Sequence, residues 1–425
     1  MDKIKKIHAR QVLDCKARPA VEVDVITEHG YSGTGCAPTG TSVGSYESFI
    51  IRDNDPNHYF GMGVQKAVRI VNEDIAPALI GMDVCDQKAI DETMILMDGT
   101  PNKEKLGGNN IYSVSIACMK AAASSQNMET AEYIACTRSP IKTLPVTSFN
   151  LINGGKFATH TMPFNETMLV PYKASSVEEM VEIGVCTFQM LKTVIKEYYH
   201  VEPTVGASYG WVFPTNDPED NLKMLAEAVN RCGFSDKVGY AFDCASSEMY
   251  NRKDNTYELK GKRVSSEDII SYVKNLTERW DLVFVEDLLD ENDWEGFSAA
   301  HKALTRTIVI GDDFIATNPD RLKKAVETKC IDGFILKPNQ IGSLTEAFTA
   351  FDYAKANNIV GIPSGRSGGV LGDIVADLAV ALQVPFMKTG CPKSGERIAK
   401  INYLLTLQDR HPEYSLADLG NIVRF

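Results

Sequence analysis

From residue 238 onward, one hydrophobic pattern recurs along the chain: four to six mostly apolar residues that end abruptly on a polar one. VGYAFDCASS (238–247), LVFVEDLLD (282–290), TIVIGDDFI (307–315), GFILKPN (333–339), NIVGIPSGR (358–366) and PFMKTG (385–390) all follow it. Continuous apolar runs joined by helical stretches predict parallel strands covered on both faces. The polar ends fall at Asp243, Glu286, Asp312, Lys337, Ser364 and Lys388, at intervals of 43, 26, 25, 27 and 24 residues. After the first interval, each is close to one strand–helix unit. No glycine-rich dinucleotide fingerprint follows any of these strands, and GMG at 61–63 lacks both a third glycine and a preceding strand. The pattern therefore predicts a closed α/β barrel, which presents functional groups at the carboxyl ends of its strands.

The first part of the chain has a different texture. VEVDVIT (21–27) alternates apolar and acidic positions, as a half-buried strand does. Gly30, Gly33 and Gly35 punctuate turns, and PTGTSVGSYE (38–47) reads as a flexible loop. Helices are predicted over 64–80 and 109–137, the second alanine-rich and amphipathic. TRSPIKTLPVTS (137–148), with two prolines and several hydroxyls, marks a boundary. It divides the chain into domains 1–138 and 139–425.

Composition narrows the function. The 425 residues are 44% hydrophobic and 24% charged, ordinary for a globular protein, and the net charge of -12 argues against a nucleic-acid or acidic-membrane surface. The compact basic run Lys260-Gly261-Lys262-Arg263 is most simply a solvated turn. Ten cysteines are scattered singly, without a CxxC pair or zinc-finger spacing, which points to reduced thiols and a cytoplasmic protein. Cys244 and Cys391, beside candidate site residues, are expected to be buried and inert. The opening MDKIKKIHAR lacks a secretory apolar region, and no apolar run approaches the roughly 20 residues of a membrane span.

The strand ends carry the chemistry. Asp243, Glu286 and Asp312 would converge on one mouth, where unpaired carboxylates raise one another's pKa. A hard divalent cation resolves that conflict, and Mg2+ suits oxygen ligands with positions left for water and substrate. The bland alternative is that each acid caps the following helix. Lys337 and Lys388 lie on the opposite arc, with Arg366 and the hydroxyls of Ser364 and Ser367 beyond them. A cationic arc facing an acidic one suits a substrate bearing carboxylate or phosphate. Nearby cations depress a lysine's pKa and make it usable as a general base. Simple neutralisation of the acids explains the charge balance, but not its collection at strand ends.

These motifs resemble the enolase (phosphopyruvate hydratase) family over nearly the whole chain. ARQVLDCKARPAVEVDV is similar to the family's opening strands, PTGTSVGSYE to its metal-covering loop and SFNLINGGK to its entry into the barrel. VEDLLDENDW, GDDFIATNP, LKPNQIGSLTEA, SGRSGG and MKTGCPKSGERIAKINYLL resemble the barrel signatures in order. The resemblance implies a smaller α+β N-terminal domain, a modified TIM-type barrel, a homodimer or higher homo-oligomer, and two Mg2+ ions per site. Asp243, Glu286 and Asp312 match the ligands of the first ion, and Ser42 the loop serine that closes over the second. Lys337 matches the base that removes the α-proton, Lys388 the lysine that helps hold the substrate carboxylate, and Arg366 and Ser367 the phosphate anchors. The implied activity is a glycolytic hydro-lyase that dehydrates 2-phosphoglycerate or a close phospho-acid to an enol phosphate. A Lys base with Mg2+ stabilising an ene-diolate is the general scheme for such sites.

The pattern breaks on the leaving-group and phosphate side. The family's acidic DEGG loop aligns with GASYGW (206–211), so Ser208 stands where the acid for hydroxide departure is expected. The family's SHRSG reads SGRSG, with Gly365 in place of a phosphate-contacting histidine. GGSHAG reads GGKFAT, with Phe157 at the histidine and His160 three residues on. Glu166 matches one of the family's paired glutamates, beside Asn165 in place of glutamine. Glu166 or His160 is then the expected substitute acid. Three readings follow: an enolase-type lyase, a relative acting on a different carboxylate or a phosphonate, and a catalytically silent protein kept for binding or assembly.

Overall fold

The computed structural model describes residues 2–40, 44–158 and 162–425. Ser42 and His160, both expected at the site, lie outside the described residues. The N-terminal part opens with a three-stranded antiparallel meander, Ile4–Leu13, Pro19–Thr27 and Ser32–Cys36. Val21, Val23 and Val25 point into its core while Glu22 and Asp24 alternate outward, as the period-two pattern predicts. Helix Gly108–Ser125 lies directly on the third strand. A Cβ at Gly33 would fall 2.3 Å from the Ala117 carbonyl oxygen, so only glycine permits this approach.

The first predicted helix forms as a continuous stretch from Gln65 to Leu79, interrupted by a π-turn at Val71–Ile75. The second does not form as one piece. It is two helices, Gly108–Ser125 and Thr130–Cys136, separated where Asn127 turns left-handed (φ 54°) and Glu129 and Glu132 build a fresh capping box. Serine at 124 and 125 and asparagine at 127 favour caps and turns over helix interiors. Residues 137–142 form no helix or strand.

Eight strands close the barrel: Val146–Asn153, Glu166–Val170, Gly239–Asp243, Leu282–Glu286, Ile308–Gly311, Gly333–Leu336, Val360–Pro363 and Phe386–Gly390. The eighth pairs with the first (Met387 opposite Thr147), and a bridge from Ser364 to Lys388 joins it to the seventh. All run parallel except the second, which is antiparallel to both neighbours. That reversal puts its first residue at the mouth where its neighbours end, with Glu166 opposite Asp243. The run Lys260–Arg263 is an exposed turn and strand edge, as expected. Among the described residues, no helix is long and apolar enough to cross a membrane.

The N-terminal part is locked to the barrel around this mouth. Thr39 bridges to Gly368, and the Cys15 N–H donates to the Gly369 carbonyl at 3.0 Å. Farther out, buried Asp91 accepts the Thr345 N–H (2.9 Å) and hydroxyl (2.7 Å), tying helix Gln87–Asp98 to the start of barrel helix Leu344–Ala356. Asp91→Ala leaves the Thr345 N–H unsatisfied and is expected to cost about 1–3 kcal/mol in a urea titration, with Asp91→Asn costing less because one acceptor survives. An unchanged midpoint in both variants would show that this tie does not hold the two parts together.

Candidate active site

Each candidate side chain is delivered by the end of a barrel strand. Glu286 closes the fourth strand and is fully buried. Asp243 closes the third, directly opposite it in register. Asp312 follows the fifth strand. Its position is fixed by Asp287, which accepts the backbone N–H groups of Asp312 (2.8 Å) and Asp313 (2.7 Å) from a left-handed conformation (φ 45°). Gln340 donates to Asp312 Oδ1 at 2.8 Å, and Thr317 in turn donates to Gln340 at 2.9 Å and accepts the Lys337 backbone N–H at 2.9 Å. The carboxylate is thus oriented before any ligand arrives.

The two lysines answer the question posed by charged residues on apolar strands. The Lys337 ammonium is hydrogen-bonded to Asp312 Oδ2, and the Lys388 ammonium to Glu286 Oε2, with Asp243 and Glu166 each 3.6 Å from the latter. Burial alone would lower both lysine pKa values. The surrounding carboxylates outweigh it, Asp312 foremost for Lys337 and Glu286 for Lys388, so both amines are held charged. Burial pushes Asp243 up to about 7 and Glu286 well above its usual range. Asp312 is also pushed up by burial, but Lys337, Lys388 and Arg366 together bring it below the ordinary value.

One of these acids has a lone pair that a cation could use. Glu286 Oε1 is buried with no hydrogen-bond partner, an arrangement that is costly unless something positive uses the lone pair. A donor set made only of carboxylate oxygens is that of a hard divalent ion. Among the described residues, the acids whose oxygens lie within 4.8 Å of one another are a different trio, Asp287, Asp312 and Asp313, and not Asp243, Glu286 and Asp312. Asp287, pushed up to about 8 by burial and by Asp312, is occupied with backbone donors. The Lys388 ammonium sits as one positive charge among the three carboxyl groups of Asp243, Glu286 and Glu166.

On the phosphate side, Arg366 is buried and forms a bidentate pair with Glu47 (2.7 and 2.9 Å) from the end of the loop PTGTSVGSYE. Ser45 in the same loop bonds Glu291 (2.5 Å), and the Arg321 guanidinium packs over the Tyr46 ring. Ser364, buried, and Ser367, half-buried, line the pocket beside Arg366. On the leaving-group side, Glu166 Oε1 accepts from Asn150 Nδ2 (2.5 Å) and from the Ser208 hydroxyl (3.3 Å). Arg397 donates to the Ser208 carbonyl (2.7 Å) and hydroxyl (3.2 Å). Cys244 and Cys391 are buried, and burial raises the first thiol well above its usual value and the second to about 12, so both stay protonated.

The structure thus brings Glu166, Asp243, Asp312, Lys337, Ser364, Arg366, Ser367 and Lys388 to one pocket, with Glu286 beneath it bonded to Lys388. Sequence reasoning missed Asp287, Gln340, Glu47 and Arg397. All four lie inside motifs that stood out, but their roles depend on turns and partners that spacing does not reveal.

Residues 4–134 match the family profile described as enolase, N-terminal domain, and residues 141–417 that of enolase, C-terminal TIM barrel domain. The chain is 40% identical over 412 residues to a protein named enolase from Methanococcus aeolicus, covering 96% of each. Two matched domains in the right order, a barrel with one reversed strand, and lysines and carboxylates gathered at its mouth lead to one assignment. The chain belongs to the enolase family and is a lyase of the phosphopyruvate hydratase type.

Proposed function

We propose that the protein is a Mg2+-dependent lyase that removes the proton α to the carboxylate of a 2-phosphorylated 3-hydroxy acid and expels the 3-hydroxyl, with 2-phosphoglycerate the simplest substrate. The observation that carries this reading is the placement of Lys337. Its amine is held at a strand end against Asp312, inside a pocket that also presents Arg366 to an anion and Glu166 to the opposite side. Asp243, Glu286 and Asp312 would hold the ion. Bound there, Mg2+ supplies positive charge for the second negative charge that builds on the substrate carboxylate.

The residues divide the work. Lys337 Nζ takes the C2 proton, which requires that Asp312 no longer hold it as an ammonium. The C–H electron pair moves toward the carboxylate, which Lys388 helps to hold, and returns to form the C2–C3 double bond as the C3–O bond breaks. Arg366, braced by Glu47, and Ser367 retain the phosphate. The departing hydroxyl takes a proton from Glu166 and leaves as water. Ser208, a hydroxyl far too weakly acidic to act directly, orients Glu166 by its hydrogen bond. Solvent then restores the proton on Glu166 and removes the one on Lys337.

Lys337→Ala is expected to lower formation of the enol-phosphate absorbance from 2-phosphoglycerate by about 10²–10⁴-fold and to abolish exchange of the C2 proton with deuterated solvent. Glu166→Gln should depress elimination by a similar about 10²–10⁴-fold while C2 exchange persists, because it removes only the acid. Loss of exchange in Glu166→Gln, or its survival in Lys337→Ala, contradicts these roles. Chelation should remove activity and Mg2+ should restore it. Burial pushes the Asp243 pKa up to about 7 and its protonated form cannot ligate, so Mg2+ affinity should fall as pH drops below about 7, with protons released on binding. Calorimetry in buffers of different ionisation enthalpy reads that release, and pH-independent affinity between 6 and 8 would remove Asp243 from the ligand set.

A further inference from the structure

Gly365 has no structural need to be glycine. Its φ is not positive, and among the described residues a Cβ built on it would meet nothing nearer than the Lys388 carbonyl oxygen at 4.0 Å. Its neighbours differ: Cβ atoms at Gly368 and Gly369 would collide with Arg18 at 1.7 Å and Glu396 at 2.4 Å. An active-site glycine that neither backbone geometry nor packing requires marks open space. That space is part of the pocket, and its wall continues from Gly365 through the Lys388 carbonyl and Gly390 to Arg397 and Ser208.

The wall is polar and its donors and acceptors are mixed. Arg397 commits three of its five N–H groups, to Glu396 (3.2 Å) and to the Ser208 carbonyl and hydroxyl, and the other two have no hydrogen-bond partner among the described residues. Ser208 adds a small hydroxyl. Glu166 and Glu396 add carboxylate oxygens. An apolar substituent would strand these groups without partners. An anionic one would satisfy only the donors and set a further negative charge beside Glu166 and Glu396, which already draw on Lys388, Lys400 and Arg397. A neutral chain bearing hydroxyls satisfies both donors and acceptors.

Resting on the lyase reading above, we propose that the recess at Gly365, Arg397 and Ser208 receives a hydroxylated extension on C3, so that the preferred substrates are 2-phosphorylated sugar acids of four or more carbons. The reaction is unchanged in balance: the C2 proton goes to Lys337, the C3 hydroxyl leaves as water, and the extension remains on the new double bond. Gly365 sets specificity because any side chain there fills the space the extension needs.

The test compares 2-phosphoglycerate with 2-phosphoerythronate, whose C3 carries a hydroxymethyl group, and with the analogue that carries a carboxylate there instead. The wild-type protein should show kcat/KM at least about tenfold higher for 2-phosphoerythronate than for the other two. Gly365→His should reverse the preference, losing most of its activity on the four-carbon acid while turning over 2-phosphoglycerate. Gly365→Ala should fall between, which controls for misfolding. Preference for 2-phosphoglycerate or for the carboxylated analogue in the wild type, or an unaltered ratio in both variants, overturns the proposal. C2 proton exchange separates the two failures. Exchange with the wrong preference sinks only the inference about the recess, whereas no exchange with any of the three acids sinks the lyase reading and the inference with it.

Discussion

Glu166, Asp243, Glu286 and Asp312 share the mouth of the barrel with the ammonium groups of Lys337 and Lys388, and the structure of the site follows from the need to hold this surplus of acid: the lysines partner two of the four, and burial raises the pKa of Asp243 and Glu286. Glu286 and Asp312 have the two lysines as their direct partners, and Asp243 and Glu166 lie 3.6 Å from Lys388. Removing one member of such a buried set leaves an uncompensated charge that costs about 3–5 kcal/mol. The arrangement is therefore locked as a unit, although ion pairs of this kind add little stability over an apolar core. Its use is chemical. A lysine bound to a carboxylate is a proton carrier waiting for that carboxylate to be claimed by something else.

The fold delivers this unit through strand ends, and the supporting residues make the delivery rigid. Asp287 caps the turn that carries Asp312, while Gln340 and Thr317 couple the Asp312 carboxylate to the backbone of Lys337. Glu47 does the equivalent from the N-terminal part, presenting its carboxylate to Arg366 across the mouth. The N-terminal part is thus more than an appendage, since it holds one wall of the pocket. Site precision of this sort reduces the reorganisation required when charge develops on the substrate.

The barrel was legible in the sequence because buried parallel strands leave a trace of apolar runs with polar ends, and six of the eight strands obey it. The second strand was not legible as reversed. A five-residue run such as Glu166–Val170 looks the same in either direction, and only its pairing with Asp243 reveals that Glu166 faces the mouth. The long helix expected over 109–137 broke at Asn127 because helical periodicity continues across a turn that two helices share. Asp243, Glu286, Asp312, Lys337 and Lys388 could be picked out by position alone. Asp287, Gln340, Glu47 and Arg397 could not, since their partners come from distant segments.

The altered half of the pocket follows a consistent physical logic. Ser208 and Gly365 are both small, and Arg397 supplies the charge beside them, so neither position carries an ionisable side chain of its own. The central claim remains the exchange of partners at the metal-and-base half. A crystal structure with Mg2+ and a phosphorylated carboxylate tests it most directly. The account predicts the ion on Asp243, Glu286 and Asp312, with Lys337 Nζ released from Asp312 and turned toward the carbon beside the carboxylate. An ion held instead by Asp287, Asp312 and Asp313, with both lysines still paired to their acids, would contradict it.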